Sequence, residues 1–64
     1  MDDVKTIHAM FTDAWRFYRN HIENQKTDNE WEMILKDSGE IYNRYQTDLC
    51  KNILLVIEGE FERS

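Results

Sequence analysis

Few residues in this 64-residue chain carry side chains that do chemistry on their own, so their spacing is informative. Cys50 is the single cysteine. To act as a nucleophile it would need a nearby base and positive surroundings that favour the thiolate. Lys51 and Arg44 are close in sequence, but Cys50 stands on an apolar helical stripe, where a thiol behaves as a small hydrophobe. One cysteine also rules out an intramolecular disulfide and every zinc site made of four cysteines, or of two cysteines and two histidines. His8 and His21 lie thirteen residues apart, and neither has a second histidine or the cysteine at i+3 or i+4, the spacing a helix-borne metal site needs. His21 falls among apolar residues, so a structural histidine bonded to a partner is expected there. Glu58, Glu60 and Glu62 supply carboxylates of the type glycoside hydrolysis uses, yet no second set of groups accompanies them. They sit where a helix dipole disfavours negative charge and read as a solvated helix end. No catalytic, metal-binding or cofactor-binding residue is assigned, and an enzyme is not expected.

The run Trp15-Arg16-Phe17-Tyr18-Arg19 interleaves rings with cations, a mixture that can stack on bases beside phosphates. On a helix, however, Trp15, Phe17 and Tyr18 share the apolar arc while Arg16 and Arg19 project elsewhere, so the two sets form no common strip. Tyr42-Asn43-Arg44-Tyr45 repeats this arrangement and takes the same reading. The formal net charge is -5. Acidic and basic residues balance through Lys26, so the excess lies in the second half. Phosphate-backbone binding draws on lysine and arginine, so nucleic acid is not an expected partner. No small-molecule substrate is evident either.

The elements that must position these residues are helices. The chain has no proline and only Gly39 and Gly59 as strong breakers, and apolar residues recur at spacings of three and four. The expected fold is all-α: a small three-helix bundle in a single domain spanning residues 1–64, with helices at about 3–24, 28–45 and 48–62. The alternative is a two-helix hairpin whose long second helix bends. In the first helix Ile7, Met10, Phe11, Ala14, Trp15, Phe17, Tyr18, His21 and Ile22 cover an arc of roughly 160°, wide enough for two neighbours. Asp2 and Asp3 would stand at its positive end. Thr27-Asp28-Asn29-Glu30 has the form of a capping box that starts the second helix. Trp31, Ile34, Leu35, Ser38, Ile41, Tyr42 and Tyr45 form its buried face, which keeps its phase past Gly39. Beyond Tyr45 the stripe turns by roughly 90° to Leu49, Cys50, Ile53, Leu54, Ile57 and Phe61, so a break with a new cap is expected within Gln46-Thr47-Asp48.

A chain this short buries only about 60% of the surface it exposes when unfolded. Without a disulfide, and with those zinc sites excluded by count, packing or association must support so thin a core. Met33 and Leu55 point away from the stripes of their own helices, and the broad face of the first helix offers Trp15 and Phe17. These four residues are the candidate intermolecular face. A lone thiol and the start Met1-Asp2-Asp3-Val4-Lys5, which lacks a signal-peptide pattern, suggest a cytosolic protein. The longest apolar run, Ile53 to Ile57, is far shorter than the roughly 20 residues that span a membrane, so no membrane partner is expected.

Phe11-Thr12-Asp13-Ala14-Trp15-Arg16-Phe17-Tyr18, with Trp31-Glu32-Met33-Ile34 and Ile41-Tyr42-Asn43-Arg44-Tyr45, resembles short uncharacterised helical proteins of Clostridia-type bacteria and their mobile elements. That resemblance implies a bacterial origin and no known activity. The sequence therefore points to a noncatalytic protein–protein interaction or self-associating module, with a protein partner or a homo-oligomer as its complex. The alternative is an acidic inhibitor or nucleic-acid mimic occupying a basic protein surface, which requires Asp28, Glu30, Glu32, Glu58, Glu60 and Glu62 to form contiguous surface carboxylates.

Overall fold

Two threonines punctuate the chain. Thr27, with φ -79° and ψ 171°, accepts a hydrogen bond from the Glu30 backbone N–H at 3.2 Å. Thr47 accepts one from the Cys50 N–H at 3.1 Å. Each hydroxyl satisfies one of the donors that a helix start leaves unpaired. The computed structural model describes residues 4–63, in which these caps delimit three helices: α1 (Val4–Ile22), α2 (Asp28–Tyr45) and α3 (Asp48–Arg63). No strand occurs among the described residues. The expected helix start at Asp3, and the placing of Asp2 and Asp3 at the helix dipole, lie outside them.

The ends of α1 and α2 differ in kind. Between α2 and α3, Gln46 takes the left-handed conformation (φ 44°, ψ 44°) and donates its N–H to the Tyr42 carbonyl at 2.7 Å. That single residue ends α2, so the bent-helix alternative does not form. α1 ends without a left-handed residue: Lys26 folds back, and its ammonium donates to the carbonyls of His21 (2.7 Å), Ile22 (3.2 Å) and Asn24 (2.5 Å). The same Nζ lies 5.4 Å from the centre of the Phe61 ring. A cation at the negative end of a helix is favourably placed, and here it adds to the Asn24 N–H, which donates to the His21 carbonyl at 3.1 Å.

All three helices pack on one another in a molecule of 37 × 16 × 15 Å. Met10, Phe17, Ile34, Ile41, Cys50, Leu54 and Phe61 form the core, with Ala14 buried beside them, and Ile7, Tyr18, Ile22, Trp31, Tyr45, Ile53 and Ile57 packing around it. Ile34 and Phe61 are fully closed to solvent. Phe61 meets the edge of Phe17 at 5.5 Å and stacks on Tyr18 at 6.1 Å, so one ring joins the end of α3 to α1. The two-neighbour arc expected of α1 is present: one flank meets α2 and the other α3.

Five residues assigned to apolar stripes lie outside, Phe11 and Trp15 of α1 among them. Leu35, Tyr42 and Leu49 are largely exposed. On α2 the buried direction is set by Ile34 and Ile41, and Leu35 and Tyr42 stand roughly 80–100° to one side of it. Helices of this length leave no fourth element to cover that flank.

Candidate functional site

The one buried polar side chain among the described residues is His21. α1 presents it from its last turn toward α2, where its Nδ1 lies 2.5 Å from Glu30 Oε2 and its Nε2 lies 2.8 Å from Asp37 Oδ2. Each ring nitrogen thus has a carboxylate oxygen within hydrogen-bond distance, and the imidazole is held between Glu30 and Asp37. Asn24 Nδ2 donates a further hydrogen bond to Glu30 at 3.1 Å. The bonds from His21 and then Asn24 hold the Glu30 carboxyl below its ordinary 4.5. His21 is thus the partner-bonded structural histidine that its position implied. Its partners were not foreseen, because Glu30 reads in sequence as the returning arm of the capping box. In the structure the carboxylate turns to His21 instead. The legible signal is that Glu30 and Asp37 stand two helical turns apart along one edge of the α2 stripe. His8 is exposed on α1, and no group of residues among those described could hold a metal ion.

A second cluster ties the middle of α1 to the end of α2. Asp13 Oδ2 accepts from Arg44 Nη1 and from the Tyr45 hydroxyl, both at 2.6 Å. Partial burial pushes the Asp13 pKa up, but the bonds from Tyr45 and Arg44 and the charges of Arg44 and Arg16 outweigh it, leaving the carboxyl below 3.8. The bond to Asp13, then burial, raise Tyr45 above 10.0. Between the two clusters a cleft of about 240 Å³ opens to solvent, edged by Arg16, Asn20 and Glu40. Two of its carboxylates, Asp13 and Asp37, are already committed to partners. Cys50, nearly closed to solvent with Sγ 4.0 Å from the Ile41 carbonyl, has its thiol pushed above 9.0, first by burial and then by the Asp13 charge. The buried, unreactive cysteine read from the sequence is what the packing produces.

The four residues proposed as an intermolecular face do not share one. Phe17 is a correction: it is 3% exposed, with its ring against Phe61 and, at 5.4 Å, against His21. The position that appeared to extend the α1 arc outward is the centre of the core, because α1 turns Ala14 and Phe17 to the interior and Phe11 and Trp15 to its flank. Trp15 (57% exposed), Met33 (55%) and Leu55 (55%) are on the surface, but on three different flanks. Trp15 stacks on Tyr18 at 6.0 Å, on the α3 side of α1. Leu55 lines the groove between α2 and α3 with Tyr42. Met33 stands nine positions from Tyr42, on roughly the opposite side of α2.

Nor do the acidic residues form one field. Glu30 is spent on His21, and Glu60 pairs with Arg63. Asp28 and Glu32 share a face of α2, as Glu58 and Glu62 share one of α3, with the intervening glutamate of each triplet pointing the other way.

What the surface does carry is apolar. Val4, Phe11, Trp15, Met33, Leu35, Tyr42, Leu49, Leu55 and Val56 are all largely exposed, more large apolar side chains than are buried among the described residues. Phe11 and Trp15, one turn apart, flank α1 on the side of α3. Leu35 and Tyr42, two turns apart, flank α2 on the side of α3. Comparison with protein families, with curated proteins and with solved structures gives no match.

Proposed function

We propose that this chain is a small noncatalytic protein–protein interaction module whose first partner is a second copy of itself. The observation that carries this reading is the apolar surface: scattered single apolar residues are ordinary, but rows of them along helix flanks mark surfaces that associate. A thin core that lacks a disulfide points the same way. The titratable groups support the noncatalytic part. Asp13, Glu30 and Asp37 are held by hydrogen-bond partners within the chain and the Cys50 thiol is enclosed, so none of the four is free to act as acid, base or nucleophile. Its resemblance to short bacterial proteins and its single thiol make the bacterial cytosol the proposed setting.

The test is solution mass by sedimentation across a dilution series of about a hundredfold, since an associating protein changes its apparent mass by mass action. A dimer that dissociates on dilution is expected, and Leu55→Ser should leave the helices intact and shift dissociation to higher protein concentration. A monomeric mass at every concentration rejects self-association.

A further inference from the structure

The groove between α2 and α3 has a symmetry of its own. It is a depression of about 160 Å³, lined by Ser38, Gly39 and Tyr42 from α2 and by Lys51, Leu54, Leu55 and Glu58 from α3. On α3, Lys51 and Glu58 stand seven positions apart, about 10 Å along the axis, with Leu54 and Leu55 as the middle pair. On α2, Leu35 and Tyr42 have the same separation, with Ser38 and Gly39 in the middle. The two-residue joint Gln46-Thr47 makes α2 and α3 antiparallel neighbours. Both middle pairs line the same groove, so they stand level with each other.

We propose that two copies of this chain pair across this groove, α3 antiparallel on α3 and α2 antiparallel on α2, about a two-fold axis passing between Leu54 and Leu55 and between Ser38 and Gly39. The proposal rests on the self-association reading above and specifies its geometry. Such an axis exchanges position 51 with position 58, so each Lys51 faces the Glu58 of the other copy, twice per dimer. Neither side chain has an ion-pair partner among the described residues of its own chain. The same axis lays Leu35 of one copy on Tyr42 of the other and brings the Leu55 side chains together at the centre. A two-fold interface must be self-complementary, and a lysine and a glutamate placed symmetrically about an apolar centre meet that condition. Gly39 contributes by lacking a side chain: a Cβ there would meet nothing within 4 Å in the single chain, so the space it leaves open is available to the facing helix.

The decisive experiment is charge reversal read by sedimentation of the full chain at low salt, with helicity followed by circular dichroism. Lys51→Glu and Glu58→Lys each place like charges opposite one another at both contacts, and each should weaken the dimer by roughly tenfold or more. Lys51→Glu puts a favoured charge in the first turn of α3, and Glu58→Lys changes a side chain with no ion-pair partner among the described residues of its own chain, so neither should unfold the monomer. An equimolar mixture of the Lys51→Glu and Glu58→Lys chains should regain wild-type affinity, because every contact in the mixed dimer is again between opposite charges. Gly39→Ala gives a second readout of opposite sign: it should raise monomer stability through helix propensity while weakening association. If the wild type dimerises and the charge variants dimerise equally well, alone and mixed, the groove is not the interface; self-association stands and this geometry is overturned. If the wild type is monomeric throughout, both fall.

Discussion

Two carboxylates tie stability to acidity. Glu30 and Asp13 have folded-state pKa values below their ordinary 4.5 and 3.8. A lowered carboxyl binds its proton more readily in the unfolded chain, so its contribution to stability is complete above the ordinary value and disappears as pH falls through the folded one. The melting temperature should therefore decline as pH falls below about 5. Glu30→Gln should flatten the upper part of that decline, and a thermal melt series in citrate and acetate buffers checks it. Cys50 gives a second residue-scale expectation. With its thiol enclosed and raised, it should stay unlabelled by a thiol-reactive dye under native conditions and react fully in denaturant. Rapid labelling of the native protein would contradict the packing described for it.

At the scale of the elements, the joint between α2 and α3 holds a correctable cost. Gln46 is the only non-glycine residue with positive φ among those described. A side chain in that conformation costs about 1 kcal/mol, which glycine avoids. Gln46→Gly should raise stability by about 0.5–1 kcal/mol, measured by urea unfolding, after allowing for the greater freedom glycine gives the unfolded chain. The element boundaries were legible in the sequence because their causes are local. Thr27 three residues before Glu30, and the phase change after Tyr45, both report backbone requirements that neighbouring residues satisfy. The continuous α2 through Gly39 was legible for the same reason. Which side of each stripe is covered was less so: periodicity locates an apolar face, but the crossing of three helices decides that Ile34 is enclosed and Leu35 is not. Phe17 and Trp15, both within the α1 arc, were separated only by the position of α3.

At the scale of the whole molecule, the polar links were the least visible feature, because they join residues distant in sequence. Asp13 reaches Arg44 and Tyr45, and His21 reaches Asp37; no local pattern announces either pairing. The candidate interaction surface was partly legible. Met33 and Leu55 were recognisable as apolar residues off the stripe and Trp15 as part of the broad α1 arc, yet their separation onto three flanks depends on the assembled bundle. The largely apolar groove beside Leu55, with Lys51 and Glu58 among its lining, emerges only when α2 and α3 are side by side.

Those distant links are also unevenly shared. Among the described residues every ion pair between helices joins α1 to α2, while α3 rests on them through oily and ring contacts such as Phe61. Apolar attraction fades on chilling, whereas the ionic clasps keep their hold. Near freezing, then, the C-terminal helix should be first to lift away, leaving the other two latched. Backbone amides of residues 50–61 would trade their protons for deuterons ahead of those in α1, and the reverse order would mean that the oily seam outlasts the charged one.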